Sequence, residues 1–205
     1  MLTLTLTLIA YCIGSISFAL VTSRVFGLPD PRTYGSGNPG ATNVLRTGKK
    51  WAAALTLLGD GAKGWLAVAI ASRFADPPSS EAAMAAAALA VVLGHMYPVF
   101  FGFHGGKGVA TALGVLFGLD VRVAIGTLAT WLIIAGFFRI SSLAALIAAL
   151  FAPFFTLFVY QNAGHPYFIS VAIIALLLIC RHRTNIRKLL AGTEGRLGNA
   201  KRPSR

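Results

Sequence analysis

Acidic side chains are scarce in this sequence: six Asp and Glu stand against eighteen Lys and Arg, and there are only two cysteines and four histidines in 205 residues. Each shortage removes a class of function. Cys12 and Cys180 lie inside apolar runs and read as buried thiols, too few for a disulfide framework. Four histidines without a cysteine or acidic cluster beside them make no metal site, so neither metal nor cofactor is expected. Charge of either sign is rare as well: 12% of residues are charged, against roughly 25% in soluble domains. With 56% apolar residues and a mean hydropathy of +0.73, a soluble core is excluded. The net charge of +12 invites a nucleic-acid reading, but no motif of that class is present. The cations sit beside apolar segments, where they hold loops against an anionic membrane surface.

What the sequence has instead is long apolar runs. A helix needs about 20 mostly apolar residues to cross the hydrocarbon layer. Runs of this kind lie at about 2–22, 51–72, 82–101, 121–138, 143–160 and 167–179, with a shorter one of 11 residues at 109–119. The first has no cation before it and Arg24 after it, so it reads as a retained helix rather than a cleaved leader. The expected fold is an all-α integral membrane protein with about seven transmembrane helices, the fourth short or broken. Residues 1–205 form a single transmembrane domain ending in a basic cytoplasmic tail, 181–205. With the N-terminus outside and the C-terminus cytoplasmic, the inner loops collect Arg24, Arg32, Arg46, Lys49, Lys50, Lys107, Arg139 and eight tail cations, fifteen of the eighteen. The outer loops keep Arg73 and Arg122, and Lys63 lies within the second span.

Three polar stretches break the apolar pattern, and this topology puts all of them on the cytoplasmic side. The first runs from Gly35 through Ser36, Gly37, Asn38, Pro39, Gly40, Ala41, Thr42 and Asn43 to Arg46. Its glycines let backbone N–H groups converge on an anion, its side chains add hydrogen bonds, and Arg46 offers a planar fork suited to phosphate. A plain Gly/Pro turn is the simpler alternative. The spacing of Gly35 and Gly40 imitates a nucleotide P-loop, but Ala41 stands where its lysine belongs and no strand precedes it, so an ATPase is excluded.

The second stretch runs from Gly94 and His95 to Gly105, Gly106, Lys107, Gly108 and Thr111. Lys107 sits among glycines just before a helix start, where the positive helix end and the ammonium both favour an anion. His95 is read as structural, packed against a carbonyl at a helix end. The third stretch holds Arg181, His182, Asn185, Arg187, Lys188 and, further on, Glu194. Much of its charge is expected to serve the membrane surface. If the last helix continues through them, His182 and Asn185 share a face, where the histidine can move a proton or bind an anion. Ser141 and Ser142 can cap the sixth span or touch a phosphate. Asp60 and Lys63, three apart inside the second span, read as neutralising each other and are left outside the site.

In this order and on this profile the stretches resemble the motifs of the bacterial acyl-phosphate:glycerol-3-phosphate acyltransferase family: GSGNPGATNVLR (35–46), GHMYPVFFGFHGGKGVAT (94–111) and RHRTNIRKLLAGTE (181–194). The resemblance covers nearly the whole chain. It implies transfer of a fatty acyl group from acyl phosphate to the 1-position of glycerol 3-phosphate, the first acylation of phospholipid synthesis. It carries His182, Lys107 and Asn185 over as catalytic residues. The substrate-binding positions it implies are Ser36, Gly37, Asn38, Gly40, Thr42, Asn43, Arg46, Gly105, Gly106, Ser142 and Glu194. Partners would be the two phosphate substrates, membrane lipid and, functionally, the enzyme that makes acyl phosphate from acyl carrier protein. The expected location is the bacterial inner membrane, with the site on its cytoplasmic face.

The hydroxyl proton can go to His182 or to a substrate phosphate. A phosphate-solute transporter is the chief rival, but it needs access from both sides, and the outer loops gather no matching cluster. A different acyltransferase class places Asp five residues after His, a spacing absent here.

Overall fold

The computed structural model describes residues 1–197, so three cations of the tail, Lys201, Arg202 and Arg205, lie outside the described residues. Among the described residues the regular structure is entirely helical. The chain opens with α1 (Leu2–Gly14) and α2 (Phe18–Val25), and a loop carries the short α3 (Ala41–Leu45). Two long helices follow, α4 (Lys50–Phe74) and α5 (Ser80–Met96), the second extended by a 3-10 turn at Val99–Phe101. The rest is α6 (Val109–Leu119), α7 (Val121–Phe138), α8 (Ser141–Tyr160), α9 (Pro166–Arg181) and α10 (Arg183–Leu190). Five segments are long and apolar enough to cross a bilayer: Leu2–Val25, Lys50–Phe74, Ser80–Phe101, Val121–Phe138 and Ser141–Tyr160. A sixth exists if α9 and α10, bent by 60°, count together. α10 is polar, so α9 is the apolar part of that pair. α6 has the bounds expected for the short run.

Glycine sets how closely these helices approach. On α4 and α6, a Cβ at Gly114 would overlap the Gly61 carbonyl, and one at Gly64 would overlap that of Thr111. Such contact, over the small-xxx-small spacing of Gly114 and Gly118, is how helices associate where lipid leaves no hydrophobic drive between them. α5 is the most enclosed helix, with buried alanines 83, 85, 87, 88 and 90 among its neighbours. Large side chains such as Leu58, Phe137, Phe154 and Phe158 point outward, as a lipid-facing surface requires.

Two expectations need correction. The first run is not one helix: α1 ends at Gly14, Ser17 is extended, and α2 restarts at Phe18. A break at that depth is tolerated because Lys63 Nζ donates to the released Ile16 carbonyl at 2.6 Å. Cys12 and Cys180 are free but exposed on their helices, not buried. An apolar run around a thiol does not mean an interior position when the outward face meets lipid.

Candidate active site

α6 begins immediately after Gly108, whose φ of +87° admits the sharp entry from the preceding loop. Lys107 is thereby delivered beside the open N-terminal turn of α6. Its Nζ donates to Asn185 Oδ1 on α10. Asn185 Nδ2 donates onward to Glu194 Oε1 at 2.6 Å, and Ser142 Oγ at the start of α8 donates to the same oxygen at 2.7 Å. Three regions far apart in sequence, around Lys107, Ser142 and 185–194, thus share one hydrogen-bonded chain. The segment bearing Glu194 is tied back to the α7–α8 junction by Leu197 N–H on the Arg139 carbonyl. Neither Ser141 nor Ser142 caps α8; Ser141 instead pairs with Thr42 of the first loop at 3.3 Å.

That first loop is organised by Asn43. Its Oδ1 accepts from Ser36 N–H at 2.9 Å, and its Nδ2 donates to the carbonyls of Pro31 and Tyr34. Asn43 is 2% exposed, so it shapes the loop from within and presents Ser36. Arg46 lies over Gly35, and its far end approaches Gly195 close to Glu194. Pro39 meets the second loop, since a Cβ on Gly106 would stand 3.0 Å from the Pro39 carbonyl. The expected cradle of glycine N–H groups takes a different form. Gly37 N–H bonds Tyr34, Gly40 N–H bonds Asn38 and Gly106 N–H bonds His95, all on carbonyls, so these glycines set the loop shapes while side chains supply the donors.

The last helix does not run on through His182 and Asn185. His182 ends α9 and starts α10 at the 60° bend, and that bend brings Asn185 to Lys107. His182 is 3% exposed, with Nδ1 2.7 Å from the Leu178 carbonyl. A carbonyl only accepts, so Nδ1 carries the hydrogen of the neutral ring and Nε2 keeps its lone pair, a tautomer assigned from its partner. Arg181, expected to be membrane-surface charge, has its own work here: Nη2 donates to Gly105 and Gly106 carbonyls at 2.8 and 3.0 Å, and the guanidinium lies 5.2 Å over the Tyr97 ring. Its position just before His182 was visible in the sequence, but the carbonyls it reaches were not.

Burial pushes the His182 imidazole down to about 4; the Leu178 carbonyl opposes this and the Lys107 charge adds to it. Burial also lowers Lys107, against the attraction of Glu194 and with repulsion from Arg181, Lys188 and Arg46. Among the described residues, Glu194 is the carboxylate that acts on Lys107 amid those three cations. A phosphate dianion fits such a surplus. No group of three or more His, Cys, Asp or Glu placed to hold a metal occurs among the described residues.

A model of the glycerol-3-phosphate acyltransferase family matches residues 4–192. The chain is 59% identical over 203 residues to a glycerol-3-phosphate acyltransferase of Cupriavidus taiwanensis, covering 98% of this chain and 100% of that one. It is also 59% identical over 204 residues to one of Ralstonia pickettii, with 98% and 96% covered. Its fold is similar to crystal structures of PlsY (YgiH), an integral membrane glycerol 3-phosphate acyltransferase. The glycerol 3-phosphate form gives a TM-score of 0.87 at 43% identity, covering 96% of both chains. The lysophosphatidic acid form gives 0.85 at 42% identity, covering 96% of this chain and 95% of that one.

Proposed function

The chain belongs to the glycerol-3-phosphate acyltransferase family, and from that premise we propose that its acyl donor is acyl phosphate and its acceptor the sn-1 hydroxyl of glycerol 3-phosphate. The products are 1-acyl-glycerol 3-phosphate, which is lysophosphatidic acid, and inorganic phosphate. One observation carries this reading: Lys107, Asn185, Glu194 and Ser142 form a single chain of hydrogen bonds, with Arg46, Arg181 and Lys188 near enough to repel the Lys107 charge. Two phosphate substrates need that cation excess.

Arg46 and Lys107 hold the two phosphates, with Ser36, Thr42 and Ser142 adding hydroxyl donors and Asn185 fixing the ammonium. The acceptor hydroxyl oxygen attacks the acyl carbonyl carbon, the carbon–oxygen bond to phosphate breaks, and phosphate leaves with the electron pair. Donors around the carbonyl oxygen stabilise the charge that grows there. His182 Nε2 accepts a hydrogen bond from the glycerol hydroxyl and orients it. The proton goes to a phosphate oxygen: the second ionisation of a phosphate monoester lies near 6, whereas His182 lies at about 4. Phosphate is the stronger base of the two.

The same reading takes α6 and α9 as spans beside the five long segments, giving seven, with the N-terminus outside and the site on the cytoplasmic face of the bacterial inner membrane. Cations cluster at that end, and the water-soluble acceptor meets the lipid-borne donor there. Supply of acyl phosphate by the enzyme that forms it from acyl carrier protein follows from the same chemistry.

The purified protein in detergent is given radiolabelled glycerol 3-phosphate with acyl phosphate, acyl-CoA or acyl carrier protein as donor. Lysophosphatidic acid from acyl phosphate alone is the expected result. Product from acyl-CoA alone overturns the donor assignment, and no product from any donor in folded protein overturns the reaction.

A further inference from the structure

Three ionisable side chains lie outside the site, inside the spanning helices. Asp60 and Lys63 of α4 and His95 of α5 are 2%, 3% and 7% exposed. Charges at that depth are costly and survive where they do something for the structure or the chemistry. Lys63 Nζ stands 2.9 Å from Asp60 Oδ1, an ionic contact without the alignment of a hydrogen bond, and spends its directed bond on the Ile16 carbonyl. His95 Nδ1 faces the same Asp60 oxygen at 3.5 Å and Thr111 Oγ1 at 3.2 Å. Both therefore address one edge of the imidazole.

The other edge faces the site. A Cβ on Gly106 would overlap His95 Nε2, and one on Gly105 would overlap the His95 carbonyl. The Gly106 N–H donates to that carbonyl at 3.1 Å. From the opposite side Arg181 holds the Gly105 and Gly106 carbonyls. The Gly105–Gly106 step is thus gripped between His95 and Arg181, and Lys107 is the next residue. Its ammonium can meet Asn185 only if that step is held in place. The histidine was expected to pack on a carbonyl at a helix end; its ring is instead fixed by Asp60 and Thr111.

We propose that His95, held by the buried Asp60–Lys63 pair and Thr111, is a positioning residue that sets the Gly105–Gly106 step and so aims Lys107 at substrate phosphate. The kinetic part rests on the phosphate-binding role of Lys107 given above. The mechanical part, that His95 immobilises the step, stands without it.

The test uses full-length protein in lipid nanodiscs, comparing wild type with His95→Ala, His95→Gln and Asp60→Asn. Hydrogen exchange is read at peptides covering 104–108, with peptides of α7 and α8 as internal references. Expected is exchange at 104–108 about tenfold faster in His95→Ala, the equivalent of about 1.4 kcal/mol, with α7 and α8 unchanged. His95→Gln, which keeps an amide toward Asp60 and Thr111, recovers much of the protection. In the lysophosphatidic acid assay, KM for glycerol 3-phosphate rises in His95→Ala and Asp60→Asn by about tenfold, while kcat falls less. A residue that only stabilised the fold would lower the active fraction, hence kcat, and leave KM alone. Unchanged exchange at 104–108, or loosening spread equally over α7 and α8, overturns the proposal, and so does loss of kcat at constant KM. If wild type forms no lysophosphatidic acid while 104–108 still loosens selectively, the reaction assignment falls and the positioning role stands.

Discussion

At the end of α6, Asp120 accepts the Arg122 N–H to cap α7, pairs with the Arg122 guanidinium at 2.7 Å and accepts from Tyr160 OH at 3.0 Å. At the start of the same helix, Lys107 belongs to a network whose other members come from α8, α10 and the segment after it. The Asp120 cluster is mostly local and closes on itself: a carboxylate, a cation two residues away and a hydroxyl. Nearby, His165 lies 3.4 Å from Glu81 and stacks 4.1 Å from Tyr160. The Lys107 network does not close, because among the described residues Glu194 is the carboxylate that acts on Lys107, amid several cations. Both ends are polar and hydrogen-bonded, so polarity does not separate function from stability. On the proposed reading, unbalanced charge assembled from distant segments does.

The comparison can be broken by mutation, and the largest effect is expected at Lys107. Lys107→Ala removes the proposed charge-assisted phosphate contact from a half-buried site and should lower lysophosphatidic acid formation by more than about 100-fold. An effect below about threefold in folded protein would dissolve the contrast between the ends. Glu194→Ala frees Asn185 and Ser142 together. Charge-assisted bonds are worth about 1.5–3 kcal/mol each, so a loss of about 10- to 100-fold in kcat/KM is expected, with faster proteolysis of the segment after α10. Activity retained with a loosened segment would make Glu194 a tether alone.

His182→Ala should cost about tenfold or more in kcat/KM through lost orientation of the hydroxyl. The pH dependence sharpens this further. With its imidazole at about 4, His182 is neutral across the working range. Burial penalises the charged form, so proton uptake, and the loss of its acceptor lone pair, come only as pH falls through about 4. The kcat/KM profile from pH 5 to 8 should therefore have the same shape in wild type and His182→Ala. An inflection near 6.5 present only in wild type would restore the histidine as base.

At the other end the effects should be smaller and fall on stability. Asp120→Ala deletes a helix cap, about 1 kcal/mol, and should lower Tm by about 2–4 °C with turnover unchanged. Arg122 holds the Asp120 carboxyl down to about 2. That stabilisation is therefore full above the ordinary carboxylate range and disappears as pH falls through about 2, outside any assay. Arg122→Ala should be nearly silent in both Tm and activity, because its side chain is 67% exposed and such pairs are worth little.

Much of the fold was legible because lipid is a simple solvent. Apolar runs long enough to cross it announce themselves, and the bounds of the short run, 109–119, match α6. The glycine-mediated α4–α6 contact, with Gly114 against Gly61 and Gly64 against Thr111, came into view only in the structure. The break at Ser15–Ser17 was hidden, since the carbonyl it releases is satisfied by a lysine 47 residues away. Asp60 and Lys63 were legible as a pair because they are one helical turn apart. His95 was not, because it reaches Asp60 from another helix. At the site, the residue types were readable motif by motif; their connections were not. Arg181 looks like any juxtamembrane cation until the carbonyls of Gly105 and Gly106 appear beside it.

By itself the sequence determined which segments are apolar enough for lipid, where the cations gather and which motifs break the pattern. These depend on residue identity and local spacing, through desolvation cost and helical period. Only the tertiary structure decided that α9 turns by 60° at His182, that Asn185 meets Lys107 there, that Glu194 joins Asn185 to Ser142, and that a buried histidine backs the lysine loop. Those choices depend on which helices lie side by side, and helices that are apolar all round carry little record of their neighbours, because lipid and protein satisfy them almost equally well.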